Sequence, residues 1–190
     1  MKSKRLDHEP GELTSRVLLV NLYLTQLIVI LAAVALLWCQ GRLRWELFGF
    51  REGLWWGLGA CIGLGIAGIN WLLGRYVPKE WMDDGGINRL LFQDLSIPHI
   101  AFVALLVAVG EELLFRGALQ HWLGVIGTSF LFSLIHFRYV KRWFLMSLIL
   151  FVSVLLGWLT EISGSLAPVI SAHFMLDFVL GTLIRLDRSL

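Results

Sequence analysis

Residues Ile97–Leu123 read IPHIAFVALLVAVGEELLFRGALQHWL, an apolar stretch of membrane-crossing length that carries Glu111, Glu112 and Arg116. A charged side chain in hydrocarbon costs a few kcal/mol (about 2.5–3.5 on insertion scales). Such residues therefore turn toward a bundle interior and are usually retained for function. Two later apolar stretches carry their own rare polar groups, His136 near the end of one and His173 with Asp177 inside the other. Three such sets in three separate stretches point to a chemical site built inside a membrane.

The rest of the chain agrees with that setting. Of its 190 residues 57% are hydrophobic and only 16% charged, and the mean hydropathy is +0.75, far from a soluble globular profile. The length allows one domain of about six spans at roughly 20 residues each. A net charge of +2, with basic residues between the spans rather than in a stripe, argues against a nucleic-acid partner. Cys39 and Cys61 have neither disulfide-framework nor metal-type spacing and read as small packing residues. The polar start and the long run after it read as a retained first span, not a cleaved signal. The sequence has no N-glycosylation sequon and no prenylation or myristoylation signal.

Outward from the opening stretch, the chain reads as an all-α polytopic transmembrane bundle of about six spans with a short interfacial helix. The spans are Val17–Trp38, Leu54–Leu73, Ile97–Leu123, Val125–His136, Trp143–Thr160 and Leu166–Ile184. Gly57, Gly59, Gly63, Gly65 and Gly68 in the second are expected to let a neighbouring helix approach closely. In the polar segment 74–96, the Asp83-Asp84-Gly85-Gly86 turn precedes Ile87, Leu90, Leu91 and Leu95 at helical spacing, which predicts the interfacial helix. Lys and Arg set the orientation. Lys2, Lys4, Arg5, Arg16, Arg75, Lys79, Arg89, Arg138, Lys141, Arg142, Arg185 and Arg188 fall on one side, and Arg42, Arg44 and Arg51 on the other. Both termini are therefore expected in the cytoplasm, and the protein in the cell membrane.

Glu112 and Arg116 are four apart, on one helix face and within reach of each other. Glu111 is rotated by about 100°. The simplest division pairs Glu112 with Arg116 and leaves Glu111 free to bind water, because a carboxylate without a cation in a low-dielectric pocket suits a general base. His173 and Asp177 repeat the four-residue spacing, and a carboxylate partner orients a histidine as base, donor or metal ligand. The same residues are equally compatible with a buried polar network that only joins helices. His136 alone, near a span end, reads as structural; the convergence of three spans favours chemistry. His8, His99 and His121 are assigned to the polar tail or to hydrated helix ends, and Glu161 to a solvated turn.

The motifs Glu111-Glu112-x-x-x-Arg116, Phe132-x-x-x-His136 and His173-x-x-x-Asp177 occur in this order. With Gly157 and Ser163-Gly164-Ser165-Leu166-Ala167-Pro168 before the last, the chain resembles the CPBP family of intramembrane proteases, named for CAAX proteases and bacteriocin-processing proteins. The resemblance covers residues 97–179, approximately, and makes residues 97–190 a catalytic core of four spans. Residues 1–96 form an N-terminal membrane region without family motifs. It implies that Glu111 and His136 activate the attacking water, that His173 and Asp177 complete the site and stabilise the oxyanion, and that Glu112 and Arg116 support it. The substrate expected is a membrane-associated protein or peptide, met among membrane lipid. Asp177 stands where eukaryotic CAAX prenyl endoproteases have asparagine, so prenyl-protein processing is not implied.

A divalent ion such as zinc, held by Glu111, His136 and His173 with water in the fourth position, is an alternative. The metal-free route is preferred because Arg116 already neutralises one of the two carboxylates. A proton- or ion-coupled transporter would use the same buried groups, but inverted repeats and paired broken helices are missing. A non-catalytic immunity or scaffold protein is the third reading. One geometric difficulty stands out. By helix rise, Glu111 is about 20 Å from the cytoplasmic end of its span and His136 only about 5–6 Å from its own, which demands a strong tilt or a different boundary.

Overall fold

A computed structural model describes residues 14–139 and 142–186. His8, Lys2, Lys4, Arg5, Lys141 and Arg188 lie outside the described residues. The described chain is helical without strands, in the order α1 (Ser15–Cys39), a 3-10 turn (Trp45–Phe48), α2 (Gly53–Tyr76), α3 (Lys79–Met82), α4 (Ile87–Phe92), α5 (Ile97–Glu112), a π-helical segment (Leu113–Leu119), α6 (Gln120–Ile135), a second 3-10 turn (Phe137–Tyr139), α7 (Trp143–Ser163) and α8 (Ala167–Leu186). Five helical runs among these residues are long and apolar enough to cross a membrane, and the protein is a multi-pass membrane protein.

The third of these runs, Ile97–Ile135, spans 39 residues and takes in the third expected span and all of the fourth but its last residue, His136. It is not straight. Gly124 has φ 64° and ψ 179°, a conformation only glycine adopts readily. Beyond it the chain folds back, for the rings of Phe115 and Phe132 lie 5.0 Å apart, whereas seventeen residues of straight helix would separate them by about 25 Å. The fourth span of the sequence reading is thus corrected to a short returning arm. Its residues 125–135 rise only about 16 Å, roughly half the hydrocarbon thickness.

This hairpin resolves the depth difficulty. Glu111 precedes Gly124 by thirteen residues and His136 follows it by twelve, so both lie about 18–20 Å from the bend. The two motifs are level because the returning arm is short, and no strong tilt is needed.

Helix α8 is central, with α2 running parallel along it and α5 on another side. A Cβ on Gly59 would overlap the Pro168 carbonyl oxygen and one on Gly63 that of Ala172, so these two glycines allow close backbone approach. Gly57, Gly65 and Gly68 face open space. Of the five glycines expected to serve packing, two do, because only positions four apart share the α8 face.

Contacts between loops sort them into two faces. On one, Leu166 N donates to Leu47 O at 2.8 Å and Ser165 Oγ to Glu52 Oε2 at 2.5 Å. On the other, Arg142 pairs with Asp83 at 2.8 Å, Arg138 Nη2 donates to Asn88 Oδ1 at 3.2 Å and Arg185 Nε to Leu95 O at 2.9 Å. The expected interfacial helix is α4, which begins after Gly86, and Asp84 Oδ2 accepts from Asn88 N in its first turn at 2.9 Å. It does more than lie at an interface: Leu91 and Leu95 are buried, and α4 packs on α1 and α8. His99, read as a hydrated end, instead meets Tyr23 Oη at 2.5 Å and ties α5 to α1.

Candidate active site

Glu112 and Arg116 are both buried, with Nε and Oε2 3.2 Å apart across one helical turn. The guanidinium also donates from Nη2 to the carbonyl of Ser153 at 3.1 Å and to its Oγ at 2.9 Å. It lies 4.8 Å over the ring of Phe132. An isolated charge at this depth would be expelled, whereas an ion pair with hydrogen bonds and an aromatic face is retained.

The segment after the glutamates is π-helical, a form often found at functional sites. Its carbonyls are served from outside the helix: Arg42 Nη1 donates to Gly117 O at 3.0 Å and Gln40 Nε2 to Ala118 O at 3.1 Å. The arginine of the first loop thus holds the helix that carries the motif.

Glu112 also accepts from His173 Nδ1 at 2.7 Å. The other ring nitrogen, Nε2, lies 3.4 Å from Asp177 Oδ2. His173 is therefore suspended between two carboxylates, one buried and one partly exposed. The sequence reading paired Glu112 with Arg116 alone; the link to His173 comes from α8 packing against α5 and has no signal in spacing.

His136 closes α6. Its Nδ1 lies 2.8 Å from the carbonyl oxygen of Phe132, an acceptor, so Nδ1 carries a proton and Nε2 is the nitrogen left to the cavity. Phe132 thus has two tasks in its motif, covering Arg116 with its ring and fixing the His136 tautomer with its carbonyl.

Glu111 points away from the ion pair. One side-chain hydrogen bond holds it among the described residues, donated by Gln26 Nε2 to Oε1 at 3.1 Å. Glu111, His136, His173 and Asp177 line one cavity of about 380 Å³, together with Gln26 and Arg116. Apolar side chains of α1, α4, α5, α7 and α8 form most of its wall, and Asn88 and Arg138 place its polar end on the face of the long polar loop. Five of the six residues singled out from the sequence line the cavity, and the sixth, Glu112, lies buried behind His173 and Arg116. Gln26 and Ser153 were missed. Gln26 carried a signal, a primary amide deep in an apolar run, while Ser153 on α7 carried none.

Among the described residues no group of three His, Cys, Asp or Glu side chains is placed to hold an ion. His173 directs Nδ1 at Glu112 and Nε2 toward Asp177. As they stand, Glu111, His136 and His173 do not converge on one point as the three-ligand site requires.

A model of the type II CAAX prenyl endopeptidase Rce1-like family matches residues 93–179. The protein named uncharacterized protein YpbD, from Bacillus subtilis (strain 168), is 36% identical over 171 residues, 87% of this chain and 89% of YpbD. The chain belongs to the Rce1-like family. No solved structure matches it. The family match begins just before α5 and ends within α8, so it takes in all three motifs and leaves out α1 and α2. This is a family of peptidases, in agreement with the resemblance drawn from the motifs.

Proposed function

We propose that this chain is an intramembrane endopeptidase that hydrolyses a peptide bond in a membrane-associated protein or peptide. The observation that supports the reading best is the convergence of Glu111 from α5, His136 from the end of α6 and His173 from α8 on a single cavity. Groups from three helices at one depth are what water activation beside an electrophile needs.

In this reading a water sits between Glu111 and His136. Glu111 takes its proton while His136 Nε2 orients it, and the hydroxide attacks the scissile carbonyl carbon. The carbonyl π electrons move to oxygen, and the oxyanion accepts from His173 Nε2–H, which turns to it from its long 3.4 Å contact with Asp177 while Glu112 holds Nδ1. Collapse of the intermediate restores C=O and breaks the C–N bond as Glu111 returns its proton to the leaving nitrogen. The products are a carboxyl and an amine terminus, and no ion or cofactor enters. General-base catalysis of this kind contributes about 10²–10⁴-fold and an oxyanion donor about 10²–10³-fold. The cavity end at Asn88 and Arg138 shares its face with the basic loops, so it is read as opening toward the cytoplasm, with both termini there and the protein in the cell membrane.

The test is cleavage by purified protein in phosphatidylcholine vesicles, using a library of fluorogenic apolar peptides and the Glu111→Gln variant as control. Cleavage by wild type and its near-total loss in Glu111→Gln, with normal membrane insertion, are expected. No cleavage across the library would favour a transporter or scaffold, and equal cleavage by the variant would remove Glu111 from its role.

A further inference from the structure

Helix α1 lies outside the family match, yet it sends one side chain to the motif. Gln26 is buried, at 4% exposure, while Leu24, Leu27 and Ile28 beside it are exposed on the lipid-facing side. A primary amide is costly to keep in hydrocarbon without partners. Gln26 Nε2 donates to Glu111 Oε1 at 3.1 Å, across 85 positions of sequence. The backbone is shaped to admit it: a Cβ at Gly110 would lie 2.6 Å from Gln26 Oε1 and 3.2 Å from Ile30 Cγ1. A side chain immediately before Glu111 would push this amide aside, so Gly110 leaves room for it where it stands.

We infer that Gln26 is a positioning residue that orients the Glu111 carboxylate for water activation. The inference rests on Glu111 as the base. A neutral donor suits the task. Arg116 fixes Glu112 by cancelling its charge, whereas an amide fixes Glu111 and leaves its charge available to the water. With Oε1 held from α1, Oε2 is the oxygen left for the cavity. Small errors in placing a reacting group cost rate steeply, about 10²-fold for a displacement near 1 Å. If Gln26 served only to join α1 to α5, its loss would lower the amount of folded protein and leave turnover per folded molecule intact.

The experiment uses the full-length protein in vesicles and a peptide from the library above that wild type cleaves, with kcat and KM normalised to folded protein. Gln26→Met keeps length and volume and removes the donor. It is expected to lose about 10–100-fold in kcat with KM within about twofold. Gly110→Ala keeps the amide but displaces it, and should show the same split; it also carries the test if Gln26→Met does not accumulate. The double variant should be no slower than the slower single one, because both changes break the same contact. Wild-type kcat in Gln26→Met, or losses that multiply in the double variant, would overturn the inference. Glu111→Gln, run in parallel, separates the two readings. If it is inactive and Gln26→Met turns over normally, only the positioning role falls; if it is active, the base assignment falls first.

Discussion

Glu112 accepts a hydrogen bond from His173 at 2.7 Å while pairing with Arg116 at 3.2 Å. One buried carboxylate therefore joins α5 to α8 and fixes the imidazole that faces the cavity. The consecutive glutamates differ in surroundings more than in depth: Glu112 lies between a cation and an imidazole, and Glu111 is held by a neutral amide.

Glu112→Gln should accordingly lose on two counts. Removing one partner of a buried ion pair costs up to about 3–5 kcal/mol, so the amount of folded protein in the membrane should fall. The molecules that remain should also turn over slowly, since Gln offers His173 a weaker acceptor. Quantitative immunoblotting of membranes, with kcat per folded molecule, checks both. A variant of normal abundance and normal kcat would contradict this account of Glu112.

His136→Ala and His173→Ala should each abolish cleavage, and Asp177→Asn should keep part of it. Asparagine still presents an acceptor to His173 Nε2 at the position where Asp177 lies 3.4 Å away. Kinetics on the three purified variants decide this. Complete inactivity of Asp177→Asn would show that the negative charge itself is needed.

Strong chelation should leave most activity intact, and no stoichiometric metal should copurify. Elemental analysis and assays with and without chelator give the answer. About one zinc per chain, lost in His136→Ala together with activity, would establish the three-ligand site instead.

Gly63→Val should sharply reduce folded protein and Gly65→Val should not. A side chain at Gly63 runs into the backbone of Ala172, whereas nothing lies within 4 Å of one at Gly65. Overpacking against another helix costs about 1–3 kcal/mol. Thermal denaturation of the two variants in detergent provides the comparison, and equal behaviour would mean that α2 does not pack on α8 through this face.

Reporters inserted within residues 83–88 should report the cytoplasm and one within residues 163–165 the outside. These two loops lie on opposite faces, as their contacts to Arg142 and to Glu52 show. A cytoplasmic signal from both would overturn the orientation.

Much of this protein is legible in its sequence, because a bilayer imposes simple rules. Apolar runs of membrane length must be helices, since backbone polar groups have no other partners in hydrocarbon. Charges inside such runs must face inward, which marked Glu111, Glu112, Arg116, His173 and Asp177 before any packing was known. Spacing along a helix is also local, so the Glu112–Arg116 pair followed from a four-residue interval. Tertiary structure decided what depends on contacts between distant segments. The return of the chain at Gly124 levelled His136 with Glu111, because a positive φ at one glycine converts a long apolar run into a hairpin. The packing of α8 on α5 gave Glu112 to His173, and that of α1 gave Gln26 to Glu111. Periodicity places a side chain on a face of its own helix, but it carries no information about which helix that face will meet.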